Sequence, residues 1–250
     1  MTVARKSIIC LPLLLAGGIA VADDTVNPDF IPESVEGVDD EAKTGFTPFL
    51  SAGGNLSYTN SRGVVGVVDG STFTGGLLLN GGLSFLDSKE RHEWTTLVNW
   101  NLAYTNTPTV PSFVKSADIL TLQSTWLYHI PKAPKVGPFA DLRMTSAVFP
   151  GYLVSGSDVE VQRLNVDGTE GDLDSLAALD QYQLTEGFAP TTLRESVGVF
   201  VQPVSKSLLI LEARAGVGAW ESFVQDGYYI ADDEETEAIE VQQMQDSVQV

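Results

Sequence analysis

The chain has 250 residues, 43% of them hydrophobic, and a formal net charge of −19 at pH 7. This length and composition allow a large buried core, so a disordered chain is not the expectation. The acidic balance argues against nucleic acid as a partner, because a nucleic-acid binder needs a basic surface to replace the phosphate counterions.

The first 22 residues predict a secretory signal peptide. Arg5 and Lys6 precede an apolar run, residues 7–20, that is too short to span a membrane, and Ala20 and Ala22 fit a small-x-small cleavage pattern. A retained membrane anchor is the alternative. The single cysteine lies inside this segment, so the exported chain would have neither a disulfide nor a thiolate metal site.

The acidic residues are unevenly distributed. Cleavage would remove two basic residues and no acidic ones, giving −19 − 2 = −21. Residues 23–41 hold eight acidic residues, residues 158–186 hold eight and residues 221–246 hold nine. We interpret residues 23–46 as a flexible acidic lead and the two later runs as solvated acidic loops.

Seven long segments have strand character, with apolar and polar residues alternating at period two. They are approximately 49–60, 73–86, 93–105, 117–130, 139–150, 192–203 and 207–220. Their connections alternate between short (87–92, 131–136, 204–206) and long (61–72, 106–116, 151–191 and from 221 onward). This alternation is typical of an outer-membrane β-barrel with tight periplasmic turns and long outer loops.

The third segment shows two different faces. Trp94, Val98 and Trp100 lie on a face of large apolar side chains, whereas Asn99 and Asn101 lie on a smaller, more polar one. Eleven tilted residues span about 25 Å, which matches the apolar band of a membrane barrel. Residues 47–250 are therefore predicted to form an all-β, antiparallel, up-and-down transmembrane barrel. A secreted soluble β-sandwich is the alternative.

The barrel prediction assigns two sets of residues. A network of charged side chains is expected in the lumen, where it either fills a narrow barrel with ion pairs or forms a solute-selecting constriction; it comprises Asp141, Arg143, Arg194, Glu212 and Arg214. Two aromatic girdles are expected at the membrane interfaces; they comprise Tyr58, Trp94, Tyr104, Trp126, Tyr128, Phe139, Tyr152 and Trp220. Glu195 breaks the alternation, since it falls on the outward face.

Three motifs carry a family resemblance. They are W-x5-W-x-L-A-Y at residues 94–104, K-S-x-D-x-L-x-L-x-S-x-W-L-Y at residues 115–128 and F-P-G-Y at residues 149–152. With them the chain resembles, over about residues 46–230, a family of uncharacterised outer-membrane β-barrel proteins of Gram-negative bacteria with a domain of unknown function. The resemblance implies location and architecture and supplies no catalytic residues.

The strand count differs from that of bacterial barrels. Such barrels have an even number of strands and usually end on an aromatic residue, whereas seven strands are predicted here and the chain stops at Val250. Residues 247–250 look like the start of an eighth strand. We therefore expect the chain to be a fragment of a longer barrel with eight or more strands.

Few residues suggest chemistry. There is no G-x-S-x-G elbow, and the two histidines, His92 and His129, fall at neighbouring short turns, where an interfacial position is favoured over a catalytic or metal site. The stretch from Arg163 to Asp174 partly resembles a calcium loop, but Arg163 occupies the position of the first carboxylate, so a solvated acidic loop is favoured. The sequence predicts no enzyme, no cofactor and no metal site.

The predicted function is that of an outer-membrane protein of structural or loop-presenting type. A passive pore for small solutes is the first alternative, and a lipid-modifying enzyme is a weaker one. The expected partners are outer-membrane lipid, lipopolysaccharide and the barrel-assembly machinery, and the expected location is the cell outer membrane.

Overall fold

A computed structural model describes residues 44–65, 68–206, 209–231 and 237–249. The predicted signal peptide and nearly all of the acidic lead lie outside these residues. The described chain is all-β, and no helix long and apolar enough to cross a membrane occurs in it. Its strands are β1 (Gly45–Ser61), β2 (Gly70–Leu86), β3 (His92–Asn106), β4 (Val114–Tyr128), β5 (Val136–Ser146), β6 (Gly151–Val154), β7 (Val159–Leu164), β8 (Glu170–Leu176), β9 (Gln181–Thr185), β10 (Thr191–Lys206), β11 (Leu209–Phe223), β12 (Tyr228–Ile230), β13 (Ile239–Gln243) and β14 (Ser247–Gln249).

The large sheet is an antiparallel meander. Its strand order is β1-β2-β3-β4-β5-β10-β11-β14, and all of its pairs are antiparallel. The seven predicted long strands are confirmed, and β14 adds an eighth that pairs with β11 at Trp220–Ser222. No sheet closes into a barrel among the described residues. We call the end with the short connections 87–91 and 129–135 the turn end, and the opposite end the loop end.

The pairing register gives the large sheet one apolar face. Side chains of direct partners in an antiparallel sheet lie on the same face. Starting from Phe46 on β1, the partners across the sheet form one continuous row of apolar side chains. The row comprises Phe46, Phe85, Trp94, Trp126, Ala140, Val197 and Val217.

The opposite face is polar. One row on it carries hydrogen-bonding side chains on all seven long strands, and it comprises Ser51, Asn80, Asn99, Thr121, Thr145, Thr192 and Ser222. We call these two surfaces the apolar face and the polar face. The side assignments predicted for Trp94, Asn99 and Asn101 hold in the register.

Glycines on the polar face are more crowded than those on the apolar face. The exception is Gly53 on the edge strand β1, where an added Cβ would meet nothing within 4 Å, and the tightest contact on the apolar face is 3.1 Å, at Gly54. An added Cβ at Gly82 would lie 2.3 Å from the Phe49 ring, and one at Gly198 would lie 2.1 Å from the carbonyl oxygen of Ala215. On the apolar face, the nearest contact of an added Cβ at Gly81 is 3.3 Å, to the Leu50 side chain. Tighter crowding on the polar side indicates that the sheet curves with its polar face on the inner, concave side.

This curvature predicts the effect of two matched substitutions. Gly198→Ala should destabilise the sheet by about 1–3 kcal/mol, because the new methyl group meets backbone that cannot move without breaking the ladder. Gly81→Ala should have a much smaller effect, since only a flexible leucine side chain has to shift. Urea unfolding of both variants measures the difference, and equal losses would contradict a concave polar face.

The two longest predicted loops differ from the expectation, because they contain strands of their own. Within them, β12, β13, β7 and β8 form a four-stranded sheet, in which β13 and β7 are parallel, and β6 pairs with β9. Val161, Leu176 and Val241 form the buried core of this part. The apolar residues among the acidic ones thus allow a folded β unit to form at the loop end. We call its six strands, β6 to β9, β12 and β13, the small unit.

The small unit joins the large sheet through a buried carboxylate. The Asp118 side chain is only 2% exposed and accepts hydrogen bonds from Trp100 Nε1 at 3.0 Å and from the Phe149 backbone N–H at 2.7 Å. Lys115 Nζ donates to Asp118 at 3.0 Å and to the Phe149 carbonyl oxygen at 2.6 Å. These contacts fix the segment that leads from β5 into the small unit against β3 and β4.

Candidate functional site

The polar face of the large sheet has an apolar plug at its turn end. Leu127, Phe139 and Phe200 are buried together there. His129 packs edge-on against Phe200, with ring centroids 5.1 Å apart. The concave side of the sheet is therefore filled by apolar side chains at the turn end. Polar side chains occupy this side from there toward the loop end.

Three of the five predicted lumen residues form one charged network. Arg214 lies between two carboxylates: its Nε donates to Glu212, and its Nη1 is 3.9 Å from Asp141. Gln202 Nε2 donates to Glu212 at 2.7 Å, and the Thr125 hydroxyl donates to Asp141. These partly exposed charges are therefore paired and hydrogen-bonded to one another.

The other two predicted lumen residues form a separate pair of like charge. Arg143 and Arg194 are direct partners on β5 and β10, and both guanidinium groups extend from the polar face. Among the described residues neither has a carboxylate within salt-bridge distance. Arg194 instead lies over the Trp220 ring, with 4.2 Å between the guanidinium carbon and the ring centroid.

The arginine pair lines a pocket on the polar face. The pocket has a volume of about 250 Å³ and is lined by Arg143, Thr145, Thr192 and Arg194. Thr145 and Thr192 are themselves direct partners, one row closer to the loop end. Two guanidinium groups and two hydroxyl groups therefore face the same open space, and all four side chains can donate hydrogen bonds.

Five of the eight predicted girdle residues lie on the apolar face of the large sheet. At the turn end of the apolar face, the rings of His92, Trp126 and Tyr128 pack at centroid distances of 5.0–6.4 Å beside Trp94. Tyr58 and Tyr104 lie on the same face, closer to the loop end.

The remaining three residues of the predicted girdles do not lie on the apolar face of the large sheet. Phe139 is in the buried plug, and Trp220 supports Arg194 on the polar face. Tyr152 belongs to β6, outside the large sheet. Phe139 and Trp220 lie near strand ends, as girdle residues would. Strict alternation from Asp141 and Arg214, however, places both side chains on the polar face.

The two histidines lie at one end of the sheet but on opposite faces. His92 belongs to the aromatic group on the apolar face. His129 is on the polar side, where its Nε2 is 3.3 Å from the Glu93 carboxylate and its Nδ1 is 2.8 Å from the Pro134 carbonyl oxygen. The described residues therefore do not bring the two imidazoles into one site.

The stretch that resembles a calcium loop is a β-hairpin in which the carboxylates of Asp167 and Asp174 already have protein partners. Asp167 accepts hydrogen bonds from the Thr169 hydroxyl and backbone N–H, and the hydroxyl bond is the main reason that its pKa is lowered. Asp174 is 2.8 Å from Arg163 Nη2. Within the described parts of the chain, no three His, Cys, Asp or Glu side chains gather as metal ligands.

Arg163, which disfavoured the calcium interpretation, connects two strands of the small unit through partly exposed contacts. Its Nε donates to the Tyr182 hydroxyl at 2.6 Å, and this bond is the main cause of a raised pKa for the guanidinium group. The Tyr182 hydroxyl donates in turn to Asp174 at 3.0 Å, and burial raises the Tyr182 pKa. The acidic run is thus a folded element that carries its own paired cation.

The sequence alone does not separate the charged residues into these two groups. Alternation placed all five on one face, but the pairing of β5 with β10 decides which are neighbours, and it aligns Asp141 with Ser196 and Arg143 with Arg194. The long connection between these strands hides that register.

Comparison with known protein families, curated proteins and solved structures found no match to this chain, so the family resemblance stays a prediction.

Proposed function

We propose that the chain is an outer-membrane β-barrel protein whose apolar face contacts lipid and which presents the small β unit at the membrane surface. In this proposal the polar face lines the interior. The protein would act as a structural or loop-presenting component, with outer-membrane lipid, lipopolysaccharide and the barrel-assembly machinery as its partners. This type of protein has no need of a catalytic site.

The observation that carries the proposal is the exposure of large apolar side chains along one face. Leu50 is 81% exposed, Leu56 80% and Val217 73%. In water, contiguous apolar patches of this kind are rare on a monomeric protein and mark a surface that contacts something else. No second sheet of the described chain is packed face to face on this surface, as a β-sandwich would require.

The apolar side chains form a staggered band. Phe46 on β1 and Val217 on β11 are aligned through five intermediate strands. On β1 the band continues from Phe46 toward the loop end to Leu56 and Tyr58, whereas on β11 it continues from Val217 toward the turn end to Leu211. Strands tilted by about 35–45° relative to a membrane normal produce such a stagger, because equal depth then falls at a shifted residue on each strand.

The stagger also accounts for Glu195. The register is continuous at this residue, so its side chain does lie on the apolar face. On β10 the aliphatic run Val197, Val199, Val201 lies on the turn side of Glu195, and only Leu193 and Thr191 remain on this face between Glu195 and the loop end of the strand. Glu195 is therefore near the loop-side margin of the band, where a carboxylate can reach the interface.

Membrane location and barrel closure can be tested in one experiment. The full chain, expressed in a Gram-negative host, should be recovered from the outer-membrane fraction and should migrate differently on a detergent gel before and after boiling. Purified chain should acquire this heat-sensitive mobility in lipid vesicles and not in buffer alone. Recovery as a folded protein from the soluble periplasm would overturn the proposal and favour a secreted β-sandwich.

A passive pore is the second candidate, and the pocket beside Arg143 and Arg194 favours it. Unpaired guanidinium groups on an interior wall would attract small anions and repel cations. Single-channel conductance in planar bilayers tests this candidate, and anion selectivity that falls in Arg194→Gln would support it. Absence of conductance from a protein that passes the gel test would leave the loop-presenting role alone.

A further inference from the structure

We infer that Arg143, Arg194, Thr145 and Thr192 form a binding site for a small soluble phosphate group. The inference concerns the polar face alone and goes beyond the proposed function, because it holds whether or not the sheet crosses a membrane. It starts from the charge of the molecule. A chain with 33 acidic and 14 basic residues nevertheless places two arginines side by side without a carboxylate partner among the described residues.

Placing these arginines together has a cost that a ligand would offset. Like charges directly opposite each other on neighbouring strands repel and destabilise a sheet. The nearest carboxylate along β5, Asp141, is already engaged by Arg214 and Thr125. A bound anion would turn the repulsion into two attractive interactions.

The side chains around the pair are arranged to hold the guanidinium groups in place. Trp220 lies under Arg194 at 4.2 Å, a cation–π contact that fixes the plane of the guanidinium group without neutralising its charge. A carboxylate in the same position would have cancelled that charge. Arg194 therefore keeps its hydrogen-bond donors free for a ligand on the side of the pocket.

The chemistry of the lining selects the class of ligand. Guanidinium groups bind phosphate through two parallel N–H bonds, and the Thr145 hydroxyl can donate to a further oxygen atom. The Thr192 hydroxyl donates to the Thr145 carbonyl oxygen at a long 3.4 Å and can exchange this bond for one to the ligand. A tetrahedral phosphate group has enough acceptors for all four side chains. The pocket, about 250 Å³, is smaller than the roughly 300–1,000 Å³ typical of drug-sized ligands, so inorganic phosphate or a small phosphate ester fits it.

The test uses inorganic phosphate as the probe and the full chain in a non-ionic detergent, or in buffer if the chain folds there. Phosphate should raise the thermal unfolding midpoint above that in chloride at the same ionic strength. Arg194→Gln should weaken phosphate binding, measured by calorimetry, by about 10- to 100-fold, because it removes charged hydrogen bonds. Arg194→Lys should recover only part of the loss, since lysine keeps the charge and loses the two-pronged geometry.

Lys89→Gln is the matched control, because it removes one positive charge from an exposed short turn. It should leave phosphate binding unchanged. Equal weakening in Lys89→Gln and Arg194→Gln would overturn the site in favour of a general charge effect. Absence of phosphate stabilisation in the unaltered chain would also overturn it, and this arm needs no variant to fold. Stabilisation by anionic phospholipid but not by inorganic phosphate would overturn the assignment to a soluble ligand.

Discussion

Asp118→Ala is expected to lower the free energy of unfolding by about 3–5 kcal/mol, the usual cost of removing one partner from a buried charge pair. The side chain is 2% exposed, and its carboxylate accepts hydrogen bonds from Trp100, Lys115 and the backbone of Phe149. Alanine leaves a largely buried ammonium group and two buried N–H donors without their acceptor. Urea unfolding of the chain, with tryptophan fluorescence as the signal, measures the loss.

Asp172→Ala is the matched control for this prediction. Asp172 is an exposed carboxylate on β8, so the same substitution should change stability by no more than about 0.5 kcal/mol. Asp118→Asn should fall between the two, because the amide keeps one acceptor oxygen and loses the charge. Equal unfolding curves for Asp118→Ala and Asp172→Ala would show that the contacts around Asp118 do not hold the small unit to the large sheet.

The contacts of Asp118 show what local sequence patterns cannot predict. Strict alternation puts Lys115 and Asp118 on opposite faces of β4, because they are three residues apart. In the structure the register shifts between Ala103 and Tyr104, so that Tyr104 pairs with Lys115 and Lys115 moves to the face of Asp118. A β-bulge re-aims a side chain in this way and leaves little mark in the sequence.

The long strands were predictable because their signals are local. Period-two alternation identifies each strand, and a short turn forces the next strand to lie antiparallel beside it. The small unit is harder to predict, because only its β7–β8 hairpin has a short antiparallel turn. β13 pairs in parallel with β7, so that Val241 lies opposite Arg163 from far along the chain. Such pairing depends on tertiary packing around Val161 and Val241. The acidic composition of these segments is typical of loops, so it does not predict this packing.

The site could be predicted in part for the same reason. Alternation along single strands placed Asp141, Arg143, Arg194, Glu212 and Arg214 on one face, as the structure has them. Which of them touch depends on the register across the long connection from β5 to β10, and that register separates Arg143 and Arg194 from the rest. Proximity to a strand end does not determine the face of a residue, and Trp220 lies on the polar face beside Arg194.

Leu79→Arg tests the lipid-facing role of the apolar face and should cost about 2–4 kcal/mol, the penalty for arginine at the middle of a membrane barrel. Leu79 lies near the centre of β2, in a row with Ala52 and Trp100. In a bilayer this position has no water to solvate a guanidinium group. The measurement is the free energy of unfolding in lipid vesicles, together with the fraction of chain that reaches the heat-sensitive form.

Asn80→Arg is the matched control, because it introduces the same side chain one residue further along β2. Asn80 lies on the polar face between Ser51 and Asn99, where an arginine meets hydrogen-bonding groups and water. It should assemble almost as well as the unaltered chain. The opposite order, with Asn80→Arg the more damaging, would mean that the polar face is the one in contact with lipid or with a core. Similar losses in buffer as in vesicles would instead mean that the apolar face is buried by protein, because the penalty at Leu79 would then not depend on lipid.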